Sequence, residues 1–390
     1  MDQAFVELRY ALDTLYLLVS GLLVLAMGVG LALFQAGLVR PQSAVSVLIQ
    51  NLTGYAVVYL VYLLFGYRLM YPAVPLHSIW PGVEFLLGQD WTLREVLQSE
   101  GGLYSSKMAD FFFQVGFVVI ALGIVSGAMA ERVRLFPFLL FAAVLAGFIY
   151  PLLGFWKWGG GFLDEIGFFD FAGAGLVHVC GAAAALAGVI LLGPRAGRYG
   201  LNPEPDPLLG GNAQLAAVGA FILGLGWVGF NGGAELRIST LTEANAVARI
   251  FVNTYTAAAS GAMAALLMSR AWFGQADLIG AVSGALAGMV AIAAEPLTPV
   301  PWQSMAVGAI GGAVAVCSLV GLDKLRLDDP VGALSIHGAA GIWGLLAVCL
   351  SNPQAKLSAQ LVGIGVILGF AFAASFVFWG ALKMWVGIRK

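Results

Sequence analysis

This sequence is poor in charge. Only 10% of its 390 residues are Asp, Glu, Lys or Arg, against roughly a quarter in ordinary soluble domains. The 19 basic and 21 acidic residues leave a net charge of −2. The basic residues stand singly along the chain, so no concentrated patch for nucleic-acid phosphates is expected. Cysteine is equally scarce. Cys180, Cys317 and Cys349 all lie inside apolar runs, which argues against a disulfide scaffold or a thiolate metal site. No soluble domain, linker or low-complexity tract is expected within these residues. A basic leader with a cleavage site is also missing: the opening MDQAFVELRY is mixed and net acidic, so the first apolar segment is expected to stay in the mature chain.

What the chain has instead is apolar length. It is 60% hydrophobic, with a mean hydropathy of +0.91. A bilayer core of about 30 Å takes about 20 apolar residues per helix. Runs of that length predict eleven transmembrane helices at 12–37, 43–69, 108–130, 135–156, 170–193, 212–231, 245–269, 276–296, 303–320, 330–351 and 358–386. The expected fold is an all-α polytopic membrane protein forming one domain over 1–390. Placing the C-terminus inside gathers Arg40, Arg132, Arg134, Arg195, Arg198 and Arg270 on one side, with Lys324, Arg326, Arg389 and Lys390. That asymmetry predicts N-out and C-in. Glycines at small-xxx-small spacing, such as Gly280, Gly284 and Gly288, predict close helix packing. The Pro-containing loop 71–107 reads as an external cap with a surface helix, and His77 within it as a solvated loop residue.

The two remaining histidines expose an internal repeat. Residues 170–178 read DFAGAGLVH and 329–337 read DPVGALSIH, both D-x-x-G-A-x-x-x-H. Their offset spans five predicted helices, so the copies enter the membrane from opposite sides, as in an inverted repeat. Repeat one covers about 12–193 and repeat two about 212–351, followed by a last helix at about 358–386. The Asp of each copy is expected at a helix N-cap. Eight residues of helix, at about 1.5 Å each, would then carry His178 and His337 about 12 Å inward from opposite faces. Both imidazoles would meet near the midplane, where ionisable groups are costly and commonly line a pathway or pair with each other. Either histidine alone also fits a core residue bonded to a carbonyl. No further metal-ligating side chain is expected at that depth, and no nucleophile with a base and an orienting partner is visible. An enzyme, a metal site and a cofactor are therefore not expected. Gly159, Gly160 and Gly161 read as a tight turn rather than a phosphate loop.

Several segments together resemble the ammonium transporter family (Amt/MEP/Rh), and its Amt branch in particular. They are FQAGLVR at 34–40, DFFFQVGF at 110–117, IVSGAMAERVR at 124–134, WGGGFL at 158–163, DFAGAGLVH at 170–178, GWVGFNGG at 226–233, FVNT at 251–254 and DDPVGALSIHGAAGIWG at 328–344. Their order and spacing cover nearly the whole chain. The resemblance implies a homotrimer in the plasma (bacterial inner) membrane, with one narrow pore through each subunit of eleven helices. It implies that Phe117 and Trp158 hold ammonium in an outer vestibule, that Phe117 stacked with Phe230 closes the pore beneath, and that His178 and His337 line the constriction below. Asp170 would shape the site as a helix-cap acid, and Gln114, Trp227 and Asn231 belong to the same motifs. Ammonium or ammonia, with methylammonium as an analogue, would be the substrate.

The physics agrees with such roles. Bare ammonium pays a large desolvation cost in hydrocarbon, whereas an aromatic face returns about 0.5–2 kcal/mol. Deprotonation lets neutral ammonia pass, with imidazoles offering hydrogen bonds and a proton route. Two positions depart from the family pattern. Ala234, followed by Glu235, stands where a vestibule Ser is usual, and Ala293 stands where a Thr is common. Glu235 and Glu295 either supply compensating negative potential or are solvated loop acids. The chain stops at VGIRK almost as the last helix ends, so contact of a PII-type regulator with a cytoplasmic tail is not expected. These departures keep a second expectation beside transport, an ammonium-sensor module of a signalling receptor. A third is a channel for neutral gas, against which the WGGG and DFAG segments lean.

Overall fold

A computed structural model describes residues 3–199, 211–274 and 277–390. Among them the chain is helical and has no strand; Val133 and Arg389 form one isolated antiparallel bridge. Ten helices are long and apolar enough to cross a membrane. In chain order the helices are α1 (Gln3–Leu38), α2 (Pro41–Met70), the short outer α3 (Leu93–Gln98), α4 (Lys107–Ala128), α5 (Leu135–Glu165) and α6 (Ala174–Leu192). They continue as α7 (Ala213–Gly232), α8 (Leu241–Phe273), α9 (Leu278–Ile292), α10 (Pro301–Lys324), α11 (Leu334–Ser351) and α12 (Leu357–Trp385).

The segment predicted at 276–296 differs from the others. Its helix α9 has 15 residues, about 22 Å of rise, which is short of the hydrocarbon thickness. Residues 293–300 leave the helix because Glu295 organises a turn: its carboxylate accepts from the N–H groups of Leu297 and Thr298 and from the Asn352 side-chain amide. Glu295 is buried, so it is not a solvated loop acid.

The bundle is built on helices that nearly touch. α8, α9 and α10 pack on one another, and α9 meets α8 at Gly284 and Gly288. A Cβ on Gly288 would collide with the Ala257 carbonyl, and one on Gly284 with the side chain of Ala265. Without side chains at the seam, dispersion between backbones holds what the hydrophobic effect cannot hold inside a membrane. α1 packs along α7 and α4, and α12 along α6. α4 is the central helix, buried over nearly its whole length. The 71–107 segment carries α3, whose Thr92 and Glu95 form a reciprocal capping box, and His77 is exposed.

Basic residues that stand singly in sequence converge in space at one end of the bundle. Glu131 pairs with Arg40 and with Arg195, and Asp328 pairs with Arg132 and Arg195. Arg198 adds Asp323. Arg132, Arg195 and Asp328 are all at most 6% exposed, so each charge has to be matched. Burial opposes the Asp328 charge, but bonds from Arg195 and the charge of Arg132 hold its carboxyl below the usual range. The last residues pack onto the same region: Arg134 N–H donates to the Ile388 carbonyl and Lys390 N–H to that of Arg132.

Candidate functional site

The two D-x-x-G runs are turns, and this corrects the expected placement of the histidines. Gly173 and Gly332 both have left-handed backbone, with φ of 99° and 70°, a region where a side chain is strained. The chain therefore bends before the helix starts, and neither Asp is the N-cap residue itself. Asp170 reaches forward instead, its Oδ2 accepting from the N–H groups of Gly175 at 3.0 Å and Leu176 at 2.8 Å. Asp329 does the same for Leu334 at 2.6 Å. Each histidine then falls in the first turn of its helix rather than eight residues along one. Both first turns, Ala174–Val179 and Leu334–Ala339, are π-helical; the His178 N–H donates to the Gly173 carbonyl five residues back. A widened turn pushes its side chains out of the regular register, a common device at functional sites.

The result is a histidine pair. His178 Nδ1 and His337 Nδ1 are 3.2 Å apart, with the rings nearly parallel and 5.0 Å between centroids. Both side chains are buried. At that distance one Nδ1 carries the hydrogen and the other offers its lone pair. Nε2 of His178 has no partner.

Aromatic rings continue the row. Phe230 stacks on His178 at 5.2 Å, and Trp227 lies beside the same imidazole at 5.8 Å. Phe117 stacks on Phe230 at 4.4 Å, and Trp158 meets Phe117 edge-on at 5.9 Å. The Trp158 indole is fixed by its N–H donating to the Asp170 carbonyl at 3.0 Å. Phe117 and Phe230 are almost fully buried, so no open channel passes between them. Above this pair lies a cavity of about 370 Å³, reached by Phe117, Trp158, Gln114 and Ala234. Asn231 sits outside it, donating to Thr254 Oγ1 at 3.0 Å. Ala293 contributes backbone: its carbonyl accepts from Ala172 N–H, as that of Ala294 does from Phe171 N–H, which ties the 170–173 turn to the end of α9.

The structure thus brings His178, His337, Phe117, Phe230, Trp158 and Trp227 into one row, with Gln114 and Ala234 at its open end. Sequence reasoning missed the rest of the cavity wall: Asp110 and Phe113 on α4, Tyr67, Tyr71 and Tyr104 from elsewhere, and Phe171 and Leu236 beside the motif residues. Asp110, Phe113, Gln114 and Phe117 follow an i, i+3, i+4, i+7 spacing, the signature of one helix face, so two of these were within reach of the sequence. The tyrosines, contributed by α2, the chain after it and the outer loop, were not.

Residues 15–390 match the model of the Ammonium Transporter Family. The chain belongs to the ammonium transporter family. Similar curated proteins include a putative ammonium transporter of Synechocystis sp., 39% identical over 98% of this chain and 86% of the relative. Ammonium transporter Amt2 of Archaeoglobus fulgidus is 34% identical over 97% and 84%, and an ammonium transporter of Bacillus subtilis is 32% identical over 97% and 93%. Among solved structures, a sensor Amt protein superposes with a TM-score of 0.90 at 28% identity, covering 98% of this chain and 96% of that one. Candida albicans Mep2 shares the fold, with a TM-score of 0.85 at 23% identity over 99% and 88%. The described all-helical bundle is therefore that of a multi-pass membrane protein of this family.

Proposed function

We propose that this ammonium transporter family member moves ammonium inward across the plasma membrane along the row that runs from the aromatic cavity to the histidine pair. The observation that carries the reading is the 3.2 Å contact between His178 and His337 directly beyond the stacked Phe117 and Phe230. The cavity recruits the cation on aromatic faces. The stacked phenyl rings then exclude water and ions that keep their hydration shells, so passage requires ammonium to lose a proton. Neutral ammonia crosses the apolar stretch, and the imidazole pair, with one hydrogen between its two Nδ1 atoms, offers it hydrogen bonds and relays the proton. Alkali cations have no proton to shed and are left outside.

On this reading the chain spans the membrane eleven times, with α9 and its turn forming the eighth crossing, N-terminus out and C-terminus in. The two D-x-x-G turns mark the two halves of an inverted five-helix repeat. Three subunits associate, and the outward apolar surface, which includes the exposed Phe221, Met263 and Val377, is shared between lipid and the neighbouring subunits. The relatives named as transporters favour transport over the sensor reading, although one similar solved structure is of a sensor Amt protein.

The test is a current recorded from proteoliposomes after an ammonium pulse, with a His178→Ala/His337→Ala double variant alongside. A saturating current in the wild type, absent or altered in selectivity in the variant, is the expected result. Ammonium binding with neither current nor a pH shift inside the liposomes would overturn transport and leave the sensor.

A further inference from the structure

We propose that Asp110 and Gln114 form an anionic recognition site for ammonium at the mouth of the aromatic cavity, ahead of Phe117 and Trp158. This inference rests on the transport reading for its purpose, though not for its test.

Position is the first argument. Asp110 and Phe117 lie on the same face of α4 two turns apart, about 10 Å along the axis, and both reach the 370 Å³ cavity. A second cavity of about 520 Å³ adjoins it, and the two share Tyr67, Tyr71, Tyr104 and Asp110 as walls. The carboxylate therefore stands at the passage between them, among three tyrosine rings. An anion framed by aromatic faces is suited to a small ammonium-type cation, which takes Coulomb attraction from one and quadrupole attraction from the others.

The unused bonding capacity is the second argument. Asp110 lies in the first turn of α4 but does not cap it: the Ser106 hydroxyl accepts the free Ala109 N–H. The carboxylate is held by the Tyr67 hydroxyl, which donates to Oδ2 at 2.6 Å, and by the Gln114 side chain. No Lys or Arg among the described residues forms an ion pair with it. Nearby cations have other partners: Arg68 pairs with Glu84, Lys107 lies over the Trp91 ring, and Arg237 lies over the Tyr104 ring. One turn further in, Gln114 is buried and its Oε1 has no donor. A carboxylate with no cationic partner and an orphan amide oxygen on one cavity wall leave acceptor capacity for ammonium, which brings four donors. Ala234, on the same cavity, has no hydroxyl to offer.

The experiment measures the half-saturating ammonium concentration of proteoliposome currents, and ammonium binding by calorimetry, for the wild type, Asp110→Asn, Asp110→Glu and Tyr67→Phe. Losing a charge-assisted hydrogen bond predicts that Asp110→Asn raises half-saturation about ten-fold or more, with the maximal current within about two-fold. Asp110→Glu should recover most of the affinity. Added salt should weaken the wild type more than Asp110→Asn, a dependence that a purely structural role would not produce. Tyr67→Phe, which keeps the charge, should have the smaller effect. An unchanged half-saturation and unchanged binding in folded Asp110→Asn would overturn the proposal. A wild type without flux would instead overturn transport, and the calorimetric comparison would still decide whether Asp110 binds the ion.

Discussion

His178 and His337 meet through their Nδ1 atoms at 3.2 Å although 159 residues separate them. Each is delivered by the same local device, an acid, a left-handed glycine and a π-helical first turn. Because one hydrogen is held between the two rings, the pair acts as a unit. Replacing either residue should cost nearly as much as replacing both. In liposome currents we expect each single alanine variant to lower the maximal ammonium flux at least about ten-fold, since one lost hydrogen-bonding step is worth about 1.5 kcal/mol or more. A full additive loss in the double variant would show that the rings act separately.

Asp170 is predicted to be a structural acid. Its Oδ2 accepts from two backbone N–H groups that have no water to turn to. Asp170→Ala leaves both unpaired, at about 1–3 kcal/mol each, and should sharply reduce the yield and thermal stability of the purified protein. Asp170→Asn keeps an acceptor and should be milder. If Asp170→Ala folded with wild-type stability yet carried no current, the acid would belong to the pathway instead.

At the cavity, Ala234→Ser would place a hydroxyl beside Phe117 and Trp158. One added hydrogen bond to the ion, worth about 0.5–1.5 kcal/mol net, corresponds to roughly a two- to twelve-fold lower half-saturation. Current titrations check this, and an unchanged value would mean that the ion sits out of reach of residue 234.

Glu235 is the neighbouring acid. Partial burial, with Glu243 and Glu295 adding to it and Arg237 opposing, raises its carboxyl to about 7. A carboxyl raised in the folded state favours its neutral form there, so the folded protein loses stability as pH rises from the unfolded value near 4.3 through about 7. Glu235→Gln should flatten the pH dependence of thermal stability over that window, as measured by the melting midpoint between pH 5 and 8.

The buried ion network at the opposite end has the reverse sign. Asp328 sits below the usual carboxylate range, so its stabilisation is complete above the unfolded value near 3.9 and is lost as pH falls through the lower folded value. Arg195→Met, which deprives Asp328 and Glu131 of a shared partner, should cost about 3–5 kcal/mol. It should also remove that acid-side slope. Melting curves between pH 3 and 6 test both statements.

Apolar run length placed the helix ends within about four residues, except the start of α1 and the end of α5, each nine residues beyond its run, because a hydrocarbon slab leaves few other ways to satisfy a backbone. Helix α9 shows the limit of that argument: Glu295 ends it early through bonds to Asn352, a partner 57 residues away that no local pattern contains. The D-x-x-G-A-x-x-x-H repeat pointed to the paired histidines before any coordinates. It did not reveal that Asp170 caps from outside the helix, because that depends on the φ of Gly173.

By itself, then, the sequence determined that this is a membrane protein, its approximate helices, its family motifs and the two histidines, since hydropathy and repeats are properties of the chain read in order. Only the tertiary structure decided that Arg40, Arg132 and Arg195 share two carboxylates, that Phe230 stacks between Phe117 and His178, and that Tyr67, Tyr71 and Tyr104 surround Asp110. These are contacts between segments far apart in sequence. They follow from how glycine-lined helices close on one another, and the residues that meet there carry no local mark of it.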